Sequence, residues 1–259
     1  MTSFFGMTDI GLKRQTNQDS FYAGYITPDV LLCAVCDGMG GANGGSVASR
    51  LAAEEFSQSV KDSLEMNPDA DALAVMSHAV NKANMAVYEK SLSDKELSGM
   101  GTTLVSALFD GQKAYFASVG DSRIYIIKNG TLYQLSHDHS YVQTLVDSGQ
   151  ITESEARVHP NRNIITKAVG ITGELECDLF VMDRENMDGV LLCSDGLCGY
   201  VEEQSLNEVL KDHPEPEELV VKYVDMALDE GGADNITVVA VRLGKDTDNK
   251  DISAERTVR

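Results

Sequence analysis

The stretch Leu31-Leu32-Cys33-Ala34-Val35-Cys36-Asp37-Gly38 decides the fold. It is an unbroken apolar run that ends on a carboxylate and a glycine. The run is far short of the roughly 20 residues a membrane span requires, and it reads as a buried β-strand. Cys33 and Cys36 have C-x-x-C spacing, but side chains three apart on a strand point to opposite faces, so each is read as a small packing residue. Further strands are expected at Thr102 to Phe109, Ala114 to Val119, Arg123 to Lys128, Thr131 to Leu135, Phe180-Val181, Val190 to Cys193 and Ile236 to Val241. The pair 114–119 and 123–128 flanks a Gly-Asp-Ser turn and reads as a hairpin. Asn129-Gly130 makes a second hairpin into 131–135. Consecutive hairpins argue for antiparallel sheets.

Helical periodicity fills the gaps. Val47, Leu51, Phe56, Val60 and Leu64 share one face of a helix, and Leu73, Met76, Val80, Ala83 and Val87 repeat at three to four residues. A third helix is expected over Pro216 to Leu228, with its proline in the first turn and Gly231-Gly232 beyond its end. Helices laid on antiparallel sheets make an α+β layered domain. We expect one domain over 1–243 and a polar, loose tail over 244–259, where periodicity stops.

The formal net charge of -20 over 259 residues disfavours nucleic acid and anionic membranes as partners. An odd count of five cysteines without a disulfide framework suits a reducing compartment. With no basic start followed by an apolar stretch, a cytoplasmic location is expected.

Four aspartates stand where a strand meets a glycine-containing turn. Asp37 precedes Gly38, Asp195 precedes Gly196, Asp121 follows Gly120, and Asp234 comes just before the strand at Ile236. Glycine there lets backbone and ligand approach closely. Carboxylates brought together raise one another's pKa unless a cation neutralises them. Oxygen-only ligands select hard cations such as magnesium or manganese. Ordinary turn aspartates would also fit, so the pattern suggests a metal site without naming a reaction.

Other motifs fail on inspection. The glycine run from Gly38 to Gly45 has Asn43 where a dinucleotide loop needs its third glycine, and no Gly-Lys-Ser/Thr follows. Leu192 to Gly196 lacks the first glycine of a nucleophile elbow. His137-Asp138-His139 is read as the cap of a helix beginning near Tyr141 rather than as a zinc site.

Taken in order, eight short motifs resemble the PPM family, the type 2C metal-dependent serine/threonine protein phosphatases, in its bacterial form. They are Arg14 to Asp19, Asp37 to Gly41, Gly99 to Thr103, Gly120 to Arg123, Asp138 to Ser140, Asn163 to Gly170, Ser194 to Leu197 and Asp234 to Thr237. The resemblance implies a four-layer α-β-β-α sandwich, two antiparallel sheets face to face with helices outside. It implies two or three Mn2+ or Mg2+ ions in a cleft at one end. Asp37 would bridge two ions, Asp195 and Asp234 would complete the first site, and the Gly38 carbonyl would reach the second, with Asp19 holding its waters. Asp121 would share a third ion with Asp195, and Arg14 would bind phosphate. The reaction implied is hydrolysis of phosphoserine and phosphothreonine in proteins by a water bridging two cations. Phosphorylated substrates of a serine/threonine kinase are the implied partners, and a monomer is expected.

Two positions depart from the family pattern. Gln18 stands where many members have glutamate, and neither Met39 nor Ala42 is the histidine that some members carry there. The segment Tyr141 to Arg162 matches the family's variable flap. Two rivals to the implied activity are a catalytically dead binding module and a phosphohydrolase of small esters.

Overall fold

A computed structural model describes residues 2–212, 215–244 and 256–258 of the chain. The first part runs through β1 (Ser3–Asp9), β2 (Asp19–Thr27), β3 (Val30–Met39), α1 (Gly41–Met66) and α2 (Ala72–Ser93). Then come β4 (Gly101–Thr102), β5 (Leu104–Phe109), β6 (Lys113–Val119), β7 (Arg123–Lys128) and β8 (Thr131–Gln134). Short helices α3 (Tyr141–Asp147) and α4 (Glu153–Arg157) lead to β9 (Asp178–Asp183) and β10 (Gly189–Cys193). The chain closes with α5 (Asp195–Cys198), α6 (Glu203–Asp212), α7 (Pro216–Asp229), β11 (Ile236–Arg242) and β12 (Arg256–Val258).

β3 is unbroken in its apolar character because both its faces are covered. Leu32, Ala34 and Cys36 pack under α1 and α2, against Phe56, Val60, Met76 and Val80. Leu31, Cys33 and Val35 face the other way, into a core shared with Val190, Leu192, Val239 and Val241 of a second sheet. That second sheet has its own outer core, where Leu191, Val238 and Ala240 meet Leu219, Val220 and Tyr223 of α7. Three apolar layers separate four layers of secondary structure, as expected. One sheet has the order β12-β1-β11-β10-β7-β8 and the other β2-β3-β5-β6-β9. All these pairings are antiparallel except β1 with β12, which is parallel.

The expected hairpin at Asn129-Gly130 forms: Lys128 pairs with Thr131, and both turn residues have positive φ, 53° and 69°. The expected hairpin at Gly120-Asp121-Ser122 does not. β6 pairs with β5 and β9, whereas β7 pairs with β10 and β8 in the opposite sheet. The turn is a corner by which the chain changes sheets. Gly120 takes φ 103° there, and a Cβ on it would press on Thr103. The strand expected over 102–109 breaks at Thr103, whose side chain is used by the site described below. β1 and β2 were not anticipated. In the stretch expected as a loose tail, 256–258 form a short strand along β1, and 245–255 and 259 lie outside the described residues. Among the described residues no helix is long and apolar enough to cross a membrane.

Candidate metal centre

The sandwich brings the predicted aspartates to one end. Asp37 and Gly38 lie at the end of β3, and Asp19, the first residue of β2, is the cross-strand partner of Asp37. Asp195 opens α5 directly after β10, and Asp234 precedes β11. Asp121 arrives from the corner between the sheets. Gly196 permits the close approach of two of these turns, since a Cβ there would collide with the backbone oxygen of Asn235. Gly38 sits in a similar cradle between the carbonyls of Gln18 and Gly45. The site is therefore built where backbone segments touch, which explains why glycine accompanies the acids.

Hydroxyls and an amide hold the acids in place. Thr103 Oγ1 accepts from the Asp37 amide at 2.9 Å, and Thr102 Oγ1 donates to the Asp37 carbonyl at 2.8 Å. Thr103 also bonds Ser122 Oγ at 2.7 Å, which ties the Asp37 strand to the corner bearing Asp121. Ser194 Oγ and Thr237 Oγ1 donate to Asp19 Oδ2 at 2.8 and 2.7 Å, from the opposite sheet. Asn235 donates to the carbonyls of Ile10 and Thr16 and accepts from the Gln18 amide, anchoring the loop that carries Arg14.

The electrostatics are those of crowded acids. Burial, then Asp19, Asp195, Asp121 and Asp234, pushes the Asp37 carboxyl well above the usual range. Burial first, then Asp195 and Asp138, raises Asp121. Asp19 is pushed up to about 7 by burial, against the pull of its two hydroxyl donors. Asp195 rises to about 6, again through burial and then Asp234, while a hydrogen bond with Asp37 and the charges of Arg14 and Arg162 oppose the shift. Asp19 Oδ1 and Asp195 Oδ1 are buried with no hydrogen-bond partner. A buried carboxylate oxygen left unpaired is unfavourable unless something else satisfies it. Among the described residues no three His, Cys, Asp or Glu side chains close into a metal cage as they stand. Asp234 is instead held by Arg14, Nη2 to Oδ2 at 2.6 Å. The crowded charges and the two unpaired buried oxygens are what a cation would neutralise and satisfy. The donor set, carboxylates with a carbonyl in reach, suits a hard cation.

Several contributors escaped the sequence reading. Thr103, Ser194, Asn235 and Thr237 stand in the family-like motifs, but the sequence assigns them no role until the sheets are assembled. Arg162 ends the predicted flap. Its guanidinium lies 5.1 Å from the ring centre of Tyr200, and its Nη1 donates to the Arg157 carbonyl at 3.0 Å. A groove of about 400 Å³ runs from Asp121 and Asp195 past these residues to α3 and α4. The helix at Tyr141 forms as expected, but its cap is Ser140, which accepts from the Gln143 amide. Asp138 instead grips Arg123 through both oxygens. His139 Nδ1 accepts from the Gly120 amide at 3.0 Å, so the ring proton sits on Nε2, facing Asp178 at 3.1 Å. Gln18 spends its side-chain amide on the Gly41 carbonyl. The side chain of Ala42 lies outside the described residues.

The family model for protein phosphatase 2C matches residues 12–236. The chain belongs to this family. A serine/threonine phosphatase stp of Listeria monocytogenes is 35% identical over 246 residues, covering 95% of this chain and 98% of that protein. PstP of Mycobacterium tuberculosis is 40% identical over 233 residues, which is 90% of this chain but 43% of that longer protein. The crystal structure of Stp1 from Staphylococcus aureus has a TM-score of 0.85 at 34% identity, over 94% of this chain and 95% of that one. The PstP catalytic domain in complex with two manganese ions has a TM-score of 0.81 at 36% identity, over 93% and 97%. The protein phosphatase 2C fold, its metal dependence and its serine/threonine phosphatase chemistry are thus those of this chain.

Proposed function

We propose that the aspartate cluster holds the Mn2+ or Mg2+ ions with which this phosphatase hydrolyses phosphoserine and phosphothreonine in proteins. The observation that carries the reading is the pair of unpaired buried oxygens, Asp19 Oδ1 and Asp195 Oδ1, among acids that raise one another's pKa. Asp37, Asp195 and Asp234 would hold one ion, Asp37 and the Gly38 carbonyl a second whose waters Asp19 would hold, and Asp121 with Asp195 a third. Bound there, such ions activate a water at neutral pH and draw charge from the phosphoryl oxygens.

The chain's own residues do the rest. Arg14 is half exposed beside Asp234, so its planar fork can leave one carboxylate and take two phosphate oxygens. Asp19 is locked by Ser194 and Thr237, which fixes its free oxygen in direction. The domain over 1–243 acts as a monomer in the cytoplasm on the products of a serine/threonine kinase. Free cysteines throughout the described residues support a reducing compartment.

A phosphoserine peptide assay with and without manganese, on the wild type and Asp37→Asn, tests the reading. Chelator is expected to abolish turnover, manganese to restore it, and the variant to lose nearly all rate in either condition. Full turnover after exhaustive chelation overturns it.

A further inference from the structure

The sandwich is open along one side. β8 is the last strand of one sheet and β9 the last of the other, and between them lies a groove of about 730 Å³. Tyr133 (56% exposed) and Val181 (45% exposed) form its apolar rims, and Met182 is part of its floor. Lys113 and Lys128 stand at its side. In a chain of net charge -20 both are exposed, and neither forms an ion pair among the described residues. Asp183, opposite Lys113 across β6 and β9, is the one acid lining the groove. Among the described residues the outer edge of β9 has no strand partner, whereas the β8 edge is partly taken, its Leu132 amide donating to Asn207 Oδ1 at 2.7 Å.

Continuity decides what fits. Tyr133 and Gln134 line this groove and also the groove that opens on Asp121 and Asp195. A polypeptide whose phosphoresidue sits at the aspartates can pass over that ridge without leaving the surface. We propose that this groove is a substrate exosite. It receives an extended, acidic segment of the phosphoprotein, distant in sequence from the phosphoresidue. The segment lies along the free edge of β9, with its backbone paired there and its carboxylates on Lys113 and Lys128. The net charge of -20 disfavours an acidic chain overall, so the two lysines supply local selection that bulk charge does not. This proposal rests on the phosphatase reading of the aspartate cluster.

The test uses phosphoserine peptides with manganese. One is short. Long ones carry glutamates on the N-terminal side or on the C-terminal side, and matched long ones carry lysines. Each is assayed with the wild type and with a Lys113→Glu/Lys128→Glu variant, with an aryl phosphate as control. One glutamate-flanked arrangement is expected to exceed the short peptide in kcat/KM by about 10-fold, the scale of two exposed charge pairs, and to lose that gain as salt rises. The double variant should erase the gain and leave the short peptide and aryl phosphate unchanged. No gain from either glutamate arrangement, an equal gain from lysine flanks, or a gain that survives in the variant overturns the exosite while the site reading stands. A wild type inactive on every substrate, aryl phosphate included, takes down both.

Discussion

Asp19→Asn should stabilise the chelated protein, and more so above neutral pH than in mild acid. Asp19 titrates near 7 in the fold against a usual value of 3.8. Between those values the folded chain holds a proton that the unfolded chain has released, so the stability of the metal-free protein falls as pH rises through this window. The full displacement corresponds to about 4 kcal/mol. Relaxation among the neighbouring acids lowers the share measured for this one residue to about 2–4 kcal/mol. Asparagine keeps an oxygen for the Ser194 and Thr237 hydroxyls and removes the charge. Thermal unfolding in chelator, at pH 5 and pH 8, reads the effect. For a domain of this size the variant's Tm should exceed that of wild type by roughly 2–10 °C more at pH 8 than at pH 5, since part of the effect is already present at pH 5. Manganese should narrow or reverse the ranking, because the chain that keeps the acid binds the ions more tightly and gains more from them. A Tm difference that does not change with pH would refute the reasoning, since a purely steric effect of the substitution has no reason to follow a proton.

Arg14→Ala should lower kcat/KM roughly 10- to 150-fold, the weight of one charge-assisted hydrogen bond of about 1.5–3 kcal/mol, and an unchanged constant for both peptide and aryl phosphate removes Arg14 from the site. His139→Ala should reduce stability by about 1–3 kcal/mol, because the Gly120 amide loses its acceptor, and should affect phosphoserine peptide and aryl phosphate alike. A loss of about 10² or more confined to the peptide would make His139 the acid that protonates the leaving serine.

Much of the fold was legible because burial on both faces leaves a mark. β3, β5, β10 and β11 are apolar at nearly every position, and that pattern survives without any knowledge of partners. β1 and β2 carry weaker marks. β1 has Gly6 at its centre, where a Cβ would strike the Phe21 ring, and β2 is an edge strand with several half-exposed positions. The corner at Gly120 misled because a short glycine turn between two strands looks the same whether they pair with each other or part to different sheets. What decides is the tie from Ser122 to Thr103, which is distant in sequence. The aspartates could be found because each ends or begins a readable strand. Asp19 could not, since its strand was invisible, and only the family resemblance supplied it. Arg162 is beyond sequence reading in principle: its importance lies in the Tyr200 ring beneath it, and periodicity carries no information about a contact made across a loop.

The pairing of β1 with β11 has a consequence for how the protein is made. Thr8 and Thr237 bond across 229 positions of sequence. During synthesis Phe4, Phe5 and Met7 leave the ribosome long before β11, and their places in the cores on the two faces of β1 are finished only when that strand emerges. Throughout elongation that end of the nascent chain shows sticky apolar groups, which favours holding by a chaperone. The aspartate cluster is completed on the same schedule, because Asp234 is among the last residues translated before β11. Contacts of such long range make folding slow. Activity in a freshly synthesised pool should therefore lag behind chain completion, and a truncated product lacking β11 should carry Asp37 without any catalytic consequence.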